Sequence, residues 1–155
     1  MTGEPSCIEE MTPLQISKFW PNIPEQHHLT SRPTKYYNCV SWALHKTNRW
    51  IDFYYTEDGN IDIDQSGEKY AKYFEAEGFV RCEDSSLVEG VEKIAIYEDA
   101  RNDFTHVARQ LENGNWTSKL GEYEDIEHYS LDALSGNYYG KPKIFLARER
   151  TSLNL

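Results

Sequence analysis

The chain has 155 residues and a mass of 18.1 kDa, the size of one domain built around one core. With 39% hydrophobic and 14% aromatic residues it holds enough bulky material to exclude wholesale disorder, despite a mean hydropathy of −0.74. Sixteen Lys and Arg stand against 26 Asp and Glu, and the resulting charge of −10 excludes phosphate backbones and anionic lipid surfaces as favoured partners.

The apolar runs, such as Ile94 to Tyr97 and Ile144 to Ala147, fall far short of the roughly 20 residues that span a bilayer. The opening Met-Thr-Gly-Glu-Pro-Ser-Cys has no basic start and no apolar segment, so the expected compartment is the cytoplasm. Cys7, Cys39 and Cys82 are widely spaced with no Cys-x-x-Cys pair, and free thiols are expected.

Residues 1–37 carry five of the six prolines and read as a loop-rich arm that wraps the body of a single domain, 1–155. Within the arm, Thr12 and Pro13 open a short helix that buries Leu14, Ile16, Phe19 and Trp20 and stops at Pro21. A second helix is predicted to start at Asn38, whose side chain caps free amides, and to run through Cys39, Val40, Trp42, Ala43 and Leu44 toward Asn48. The stretch Glu57 to Gly67 reads as a loop. A helix carrying Tyr70, Tyr73 and Phe74 follows and ends at Gly78. Three strands, Lys93–Glu98, Phe104–Leu111 and Asn115–Leu120, form an antiparallel meander with a tight turn at Asn113-Gly114. Ile126, Tyr129, Leu131 and Leu134 predict a helix over 125–134, and Lys143–Ala147 a final strand. The class expected is α+β.

Cysteine acts as a nucleophile only as thiolate, and a helix N-terminus favours that charge. Cys39 has that predicted position, while Cys7 and Cys82 do not. The alternative reading of Cys39 is a small apolar side chain packed beside Val40 and Trp42. His106 lies inside a predicted core strand with the small Ala108 on the same face, which leaves room for a facing helix. A helix carrying Cys39 docked there supplies the minimum of a thiol nucleophile and an imidazole base.

The run Asn38-Cys39-Val40-Ser41-Trp42-Ala43 opening a helix, with Thr105-His106-Val107-Ala108 on a later strand that leads into Asn113-Gly114, resembles the papain-like NlpC-type cysteine hydrolase superfamily over residues 36–121. The resemblance implies a papain-like fold, with the cysteine helix packed on a small antiparallel sheet. It also implies Cys39 as nucleophile, His106 as general base, and the Cys39 amide as part of the oxyanion hole. The third residue, which orients the imidazole, falls at Ser118. Serine departs from the His, Asn, Gln or acid more common there.

Loop length decides whether Ser118 shares a face with His106. A two-residue turn at Asn113-Gly114 pairs Arg109 with Ser118 and puts Thr117 or Lys119 on the catalytic face. A three-residue loop, Glu112-Asn113-Gly114, brings Ala108 against Ser118 and puts Ser118 on that face. Asp125 and His128, on the helix predicted to follow, are the fallback orienters, with solvated helix residues as their alternative reading. Tyr36 and Tyr37 read as packing residues beside the cleft.

His27, His28, His45, His106 and His128 show no zinc-ligand spacing, and Asp58 to Asp64 lacks the bidentate glutamate of a calcium loop, so no metal is expected. No phosphate loop or nucleophile elbow is present in the sequence, and no cofactor is expected. The expected activity is hydrolysis of an amide bond in a peptide or protein by a small cysteine peptidase, amidase or deamidase, with acyl transfer as a variant. The acidic balance points to cationic substrates. The competing expectation is an acidic, non-catalytic binding module that masks a basic partner, as immunity and antitoxin proteins do. The sequence leaves oligomeric state open.

Overall fold

The computed structural model describes residues 18–23, 28–30 and 34–150. Its chain order is β1 (His28–Leu29), α1 (Cys39–Ala43), α2 (Gly67–Ala76), β2 (Val80–Cys82), β3 (Val91–Glu98), β4 (Phe104–Gln110), β5 (Trp116–Lys119), β6 (Asp125–His128), a 3-10 turn (Leu131–Leu134) and β7 (Lys141–Glu149). The strands form one seven-stranded sheet in the order β1-β6-β5-β4-β3-β7-β2, with every pairing antiparallel.

Alternation along β3 sorts the core into two layers. Ala95 and Tyr97 join Ala108, Trp116, Ile126, Leu134 and Tyr139 on one face, where Trp20 and Ile23 also pack. Ile94 and Ile96 join Val107, Leu146 and the apolar sides of α1 and α2 on the other. Each fully buried aliphatic or aromatic side chain contributes about 1.5–3 kcal/mol to folding.

This architecture overturns the α+β, papain-like expectation. Among the described residues there are two α-helices, of five and ten residues, against seven strands, so the sheet dominates. Two local events account for the difference. Residues 125–128 form β6, paired with β5 on one side and β1 on the other, where a helix was predicted. The apparent helical spacing there was the sum of a strand, with Ile126 and His128 buried, and one 3-10 turn, with Leu131 and Leu134 buried, while Tyr129 between them is exposed.

The second event is the early end of α1. The His45 amide donates to the Trp42 carbonyl and the Lys46 amide to the Ser41 carbonyl, a Schellman ending with His45 at φ 61° in the place usually held by glycine. Helix α2 ends in the same way, but with Gly78 at φ 101° and Phe79 packed on Phe74. The predicted stop at Gly78 therefore agrees with the structure, and the predicted run to Asn48 does not. The predicted Thr12 helix lies almost entirely outside the described residues, as does Cys7.

Candidate active site

Asn38 begins α1 with a reciprocal capping box: its side chain accepts from the Ser41 amide at 3.1 Å while Ser41 Oγ accepts from the Asn38 amide at 2.8 Å. Asn38 Nδ2 also donates to the Ile51 carbonyl at 2.7 Å, which ties the helix start to the following loop. Trp42 Nε1 donates to Thr117 Oγ1 at 3.0 Å and fixes α1 on β5. Cys39 is thereby held as the first residue of the helix, partly exposed at a cleft of about 560 Å³.

The cleft wall combines aromatic rings and carboxylates. Trp50, Tyr54 and Tyr138 are exposed in it, Asp52, Asp99 and Asp103 line it, and among the described residues neither Lys nor Arg does. Tyr139 forms its inner side.

The β4–β5 connection has the three-residue form. The Leu111 amide donates to the Asn115 carbonyl at 2.7 Å, Gly114 has φ 91°, and Arg109 pairs with Thr117. Ser118 therefore shares the face of His106. Its Oγ lies 2.9 Å from His106 Nε2 and 2.8 Å from His128 Nε2, and His128 Nδ1 lies 2.8 Å from the Ser130 carbonyl. The three side chains step diagonally across β4, β5 and β6, where same-face neighbours two residues out of register are within reach. All are buried, His106 at 1% exposure and Ser118 and His128 at 0%.

The imidazole of His106 is further clamped by rings. Tyr139 stacks on it and Tyr97 meets it edge-on at 5.4 Å. Burial, with a smaller contribution from His128, holds the His106 pKa well below its ordinary value, so the ring is neutral at neutral pH. Its Nδ1 is buried with no hydrogen-bond partner among the described residues.

The structure thus joins His106 to Ser118 by a hydrogen bond and does not join Cys39 to His106 by one. Cys39 packs with α1 in the layer of Val107, on the face of the sheet opposite to that of His106 and Ala108, so α1 does not dock on the His106 face as the sequence suggested. Burial pushes the thiol up to about 11, against partial compensation from the backbone of Val107, Val40 and Cys39 and from the Lys119 charge. Thiol and imidazole are both neutral in the free protein. Lys119 is itself buried, donates to the carbonyls of Thr34, Gly121 and Tyr123, and is depressed to about 8 by burial.

Sequence reasoning did not assign Tyr139 to the site and placed His128 and Asp125 on a helix. A signal for β6 was present: Gly121, with φ 61°, opens a second three-residue loop, 121–123, in which the Leu120 amide donates to the Glu124 carbonyl at 3.0 Å. Nothing local in the sequence marks Tyr139. Asp125 accepts from the Tyr37 hydroxyl at 2.8 Å, so Tyr37 links α1 to β6 and is buried. Among the described residues no group of three His, Cys, Asp or Glu is arranged to hold a metal, and no helix is long and apolar enough to cross a membrane.

Residues 28–147 match the family model described as a domain of unknown function, DUF7689. No curated protein and no solved structure matches the chain.

Proposed function

We propose that this chain, which belongs to the DUF7689 family, is a small thiol hydrolase that cleaves amide bonds with Cys39 as nucleophile and His106 as base. The observation that carries this reading is the His106 ring: one nitrogen is engaged by Ser118, the other is buried without a partner among the described residues, and the neighbouring strand residue, Val107, packs in the layer of a cysteine that opens onto a cleft. Such constellations serve the same chemistry on unrelated folds, so a sheet-dominated architecture is no obstacle.

In this reading the Cys39 side chain turns from the Val107 layer toward the imidazole as substrate binds, and Sγ attacks the substrate carbonyl carbon while its proton passes to His106 Nδ1, because both groups start neutral. The Cys39 amide, at the start of α1, is the oxyanion donor in this reading. The C–N bond breaks as the departing amine takes the proton from His106, leaving a thioester. Water, deprotonated by His106, then releases the acid and restores the thiol. The carboxylates and exposed ring faces of the cleft favour a substrate with a cationic group near the scissile bond.

A second reading has one observation in its favour. A thiol raised to about 11 with no hydrogen bond to His106 is also what a catalytically silent site would show, in an acidic module that masks a basic partner.

Acylation by p-nitrophenyl acetate, followed by peptide mass spectrometry, separates the two. The hydrolase reading expects a burst of p-nitrophenol with the acetyl group on Cys39 and not on Cys82. It also expects a slowing of at least about 100-fold in His106→Ala. Acetylation of Cys39 no faster than Cys82 overturns it and leaves the binding module, for which saturable capture of polylysine is the next measurement.

A further inference from the structure

We propose that His128 is a positioning residue: anchored on the Ser130 carbonyl and acting through Ser118, it decides which nitrogen of His106 carries the proton. The chemical consequence rests on the hydrolase reading above, but the direction of the hydrogen bonds does not.

The argument runs inward from the carbonyl. A carbonyl oxygen has no hydrogen to give, so His128 Nδ1, 2.8 Å from the Ser130 oxygen, is the donor. We take the His128 ring as neutral: its other nitrogen is then the acceptor, and Nε2 presents its lone pair to Ser118. The Ser118 hydroxyl has a single hydrogen, which goes to His128 across 2.8 Å. Its oxygen is left to accept, and the group facing it at 2.9 Å is His106 Nε2. With both rings neutral, His106 carries its proton on Nε2 and a lone pair on Nδ1, the nitrogen without a partner among the described residues.

A serine by itself could not do this, since a hydroxyl donates or accepts with equal ease. Direction enters the chain at the Ser130 carbonyl, and His128 transmits it. The ring cannot escape by rotating, because Tyr139 stacks on it with planes 6° apart and Tyr97 abuts its edge. With His106 and His128 almost fully buried, no bulk water competes for these bonds. Serine at the third position is thus sufficient here because a second histidine stands behind it. If His128 is removed, the Ser118 hydroxyl is free to turn and donate to His106 Nε2, which moves the proton to Nδ1 and removes the lone pair that would take the Cys39 proton. In hydrolase triads a base held in the wrong tautomer loses rate by up to about 10⁴-fold.

The test is a long-range ¹H–¹⁵N correlation spectrum of the uniformly labelled full chain at neutral pH, with the His106 ring assigned by its loss in His106→Gln. Wild type is expected to show His106 as the Nε2–H tautomer. In His128→Phe and in Ser118→Ala the Nδ1–H form should gain population, and Cys39 acetylation should slow at least tenfold in His128→Phe. An Nδ1–H ring in wild type, or a tautomer unchanged in both variants, overturns the proposal, and the wild-type spectrum decides even if a variant fails to fold. Failure of the hydrolase reading is distinguishable: the tautomer then follows the expected pattern while Cys39 stays unacylated.

Discussion

The phenol ring of Tyr139 lies parallel to the imidazole of His106, with centroids 4.3 Å apart and planes inclined by 6°. Because Tyr139 also forms the inner wall of the cleft, this one ring separates His106 from solvent on that side. Tyr139→Ala should therefore admit water to the imidazole and raise its pKa toward the ordinary value of 6.5. It should also cost about 3–5 kcal/mol in stability, as loss of a buried aromatic does. Titration of the His106 ring protons together with a urea midpoint checks both, and a His106 that still titrates as in wild type would show that the screen lies elsewhere.

The depressed pKa of His106 makes a statement about acid stability. Below 6.5 the unfolded chain binds a proton at this residue that the folded chain refuses. The unfolded state then holds more protons, so stability falls as pH falls, by up to about 1.4 kcal/mol per pH unit, until the folded pKa is reached. Above 6.5 the contribution is complete and flat. His106→Gln removes this dependence, so the stability gap between wild type and variant should narrow from pH 7 to pH 5. Parallel urea midpoints over that window would contradict the assignment of a neutral buried ring.

What the sequence revealed of this site, and what it hid, follows from which contacts are local. Asn113-Gly114 set a hairpin whose three-residue form aligns Ser118 with His106, and the Asn38 cap that exposes Cys39 is a four-residue motif. The choice between a two- and a three-residue loop was left open and is made by the strand register, whereas the turn and the cap depend on neighbours in the chain and were legible. The papain-like architecture was not, because the same short motifs sit here on a broad antiparallel sheet. Strand β6 owes its existence to partners on both sides, at Lys119–Trp116 and Leu29–His28, which no local periodicity announces. Tyr139 reaches His106 only through the close of the 136–140 loop, and the end of α1 was hidden because a histidine fills the position where glycine would have signalled it.

That loop yields a sharp comparison between glycines. Gly136 and Gly140 exchange backbone hydrogen bonds of 2.9 and 2.8 Å and so present Tyr139 to the site. Gly140 has φ 78°, and a Cβ there would stand 2.0 Å from the Glu98 carbonyl oxygen and 2.9 Å from Asp99 Cα, both backbone atoms that cannot swing aside. Gly59 has a similar φ of 89° with nothing within 4 Å. Gly59→Ala should cost only the left-handed strain, about 1–2 kcal/mol, while Gly140→Ala should cost distinctly more and also loosen Tyr139 from His106. Equal urea midpoints for the two variants would mean that the 136–140 loop yields without penalty.

The last prediction concerns the residue that ends α1. His45 holds a left-handed conformation, at φ 61°, that costs a non-glycine residue about 1 kcal/mol, and its Nε2 lies 2.6 Å from the fully buried carboxylate of Glu92. Arg148 Nε at 3.4 Å and Arg150 Nη1 at 3.7 Å approach the same carboxylate, so Glu92 gathers the helix end and β7 around one buried charge. The strain at His45 is offset by that contact. His45→Ala keeps the strain and loses the contact, whereas His45→Gly loses the contact and the strain together. The glycine variant should therefore be the more stable by about 1 kcal/mol, the reverse of the usual order within a helix. Glu92→Gln, which leaves two guanidinium groups facing a neutral amide in the interior, should cost more than either, about 3–5 kcal/mol. Urea midpoints for the three variants at pH 8 test the ranking, and an alanine variant as stable as the glycine one would show that the left-handed turn at His45 carries no strain.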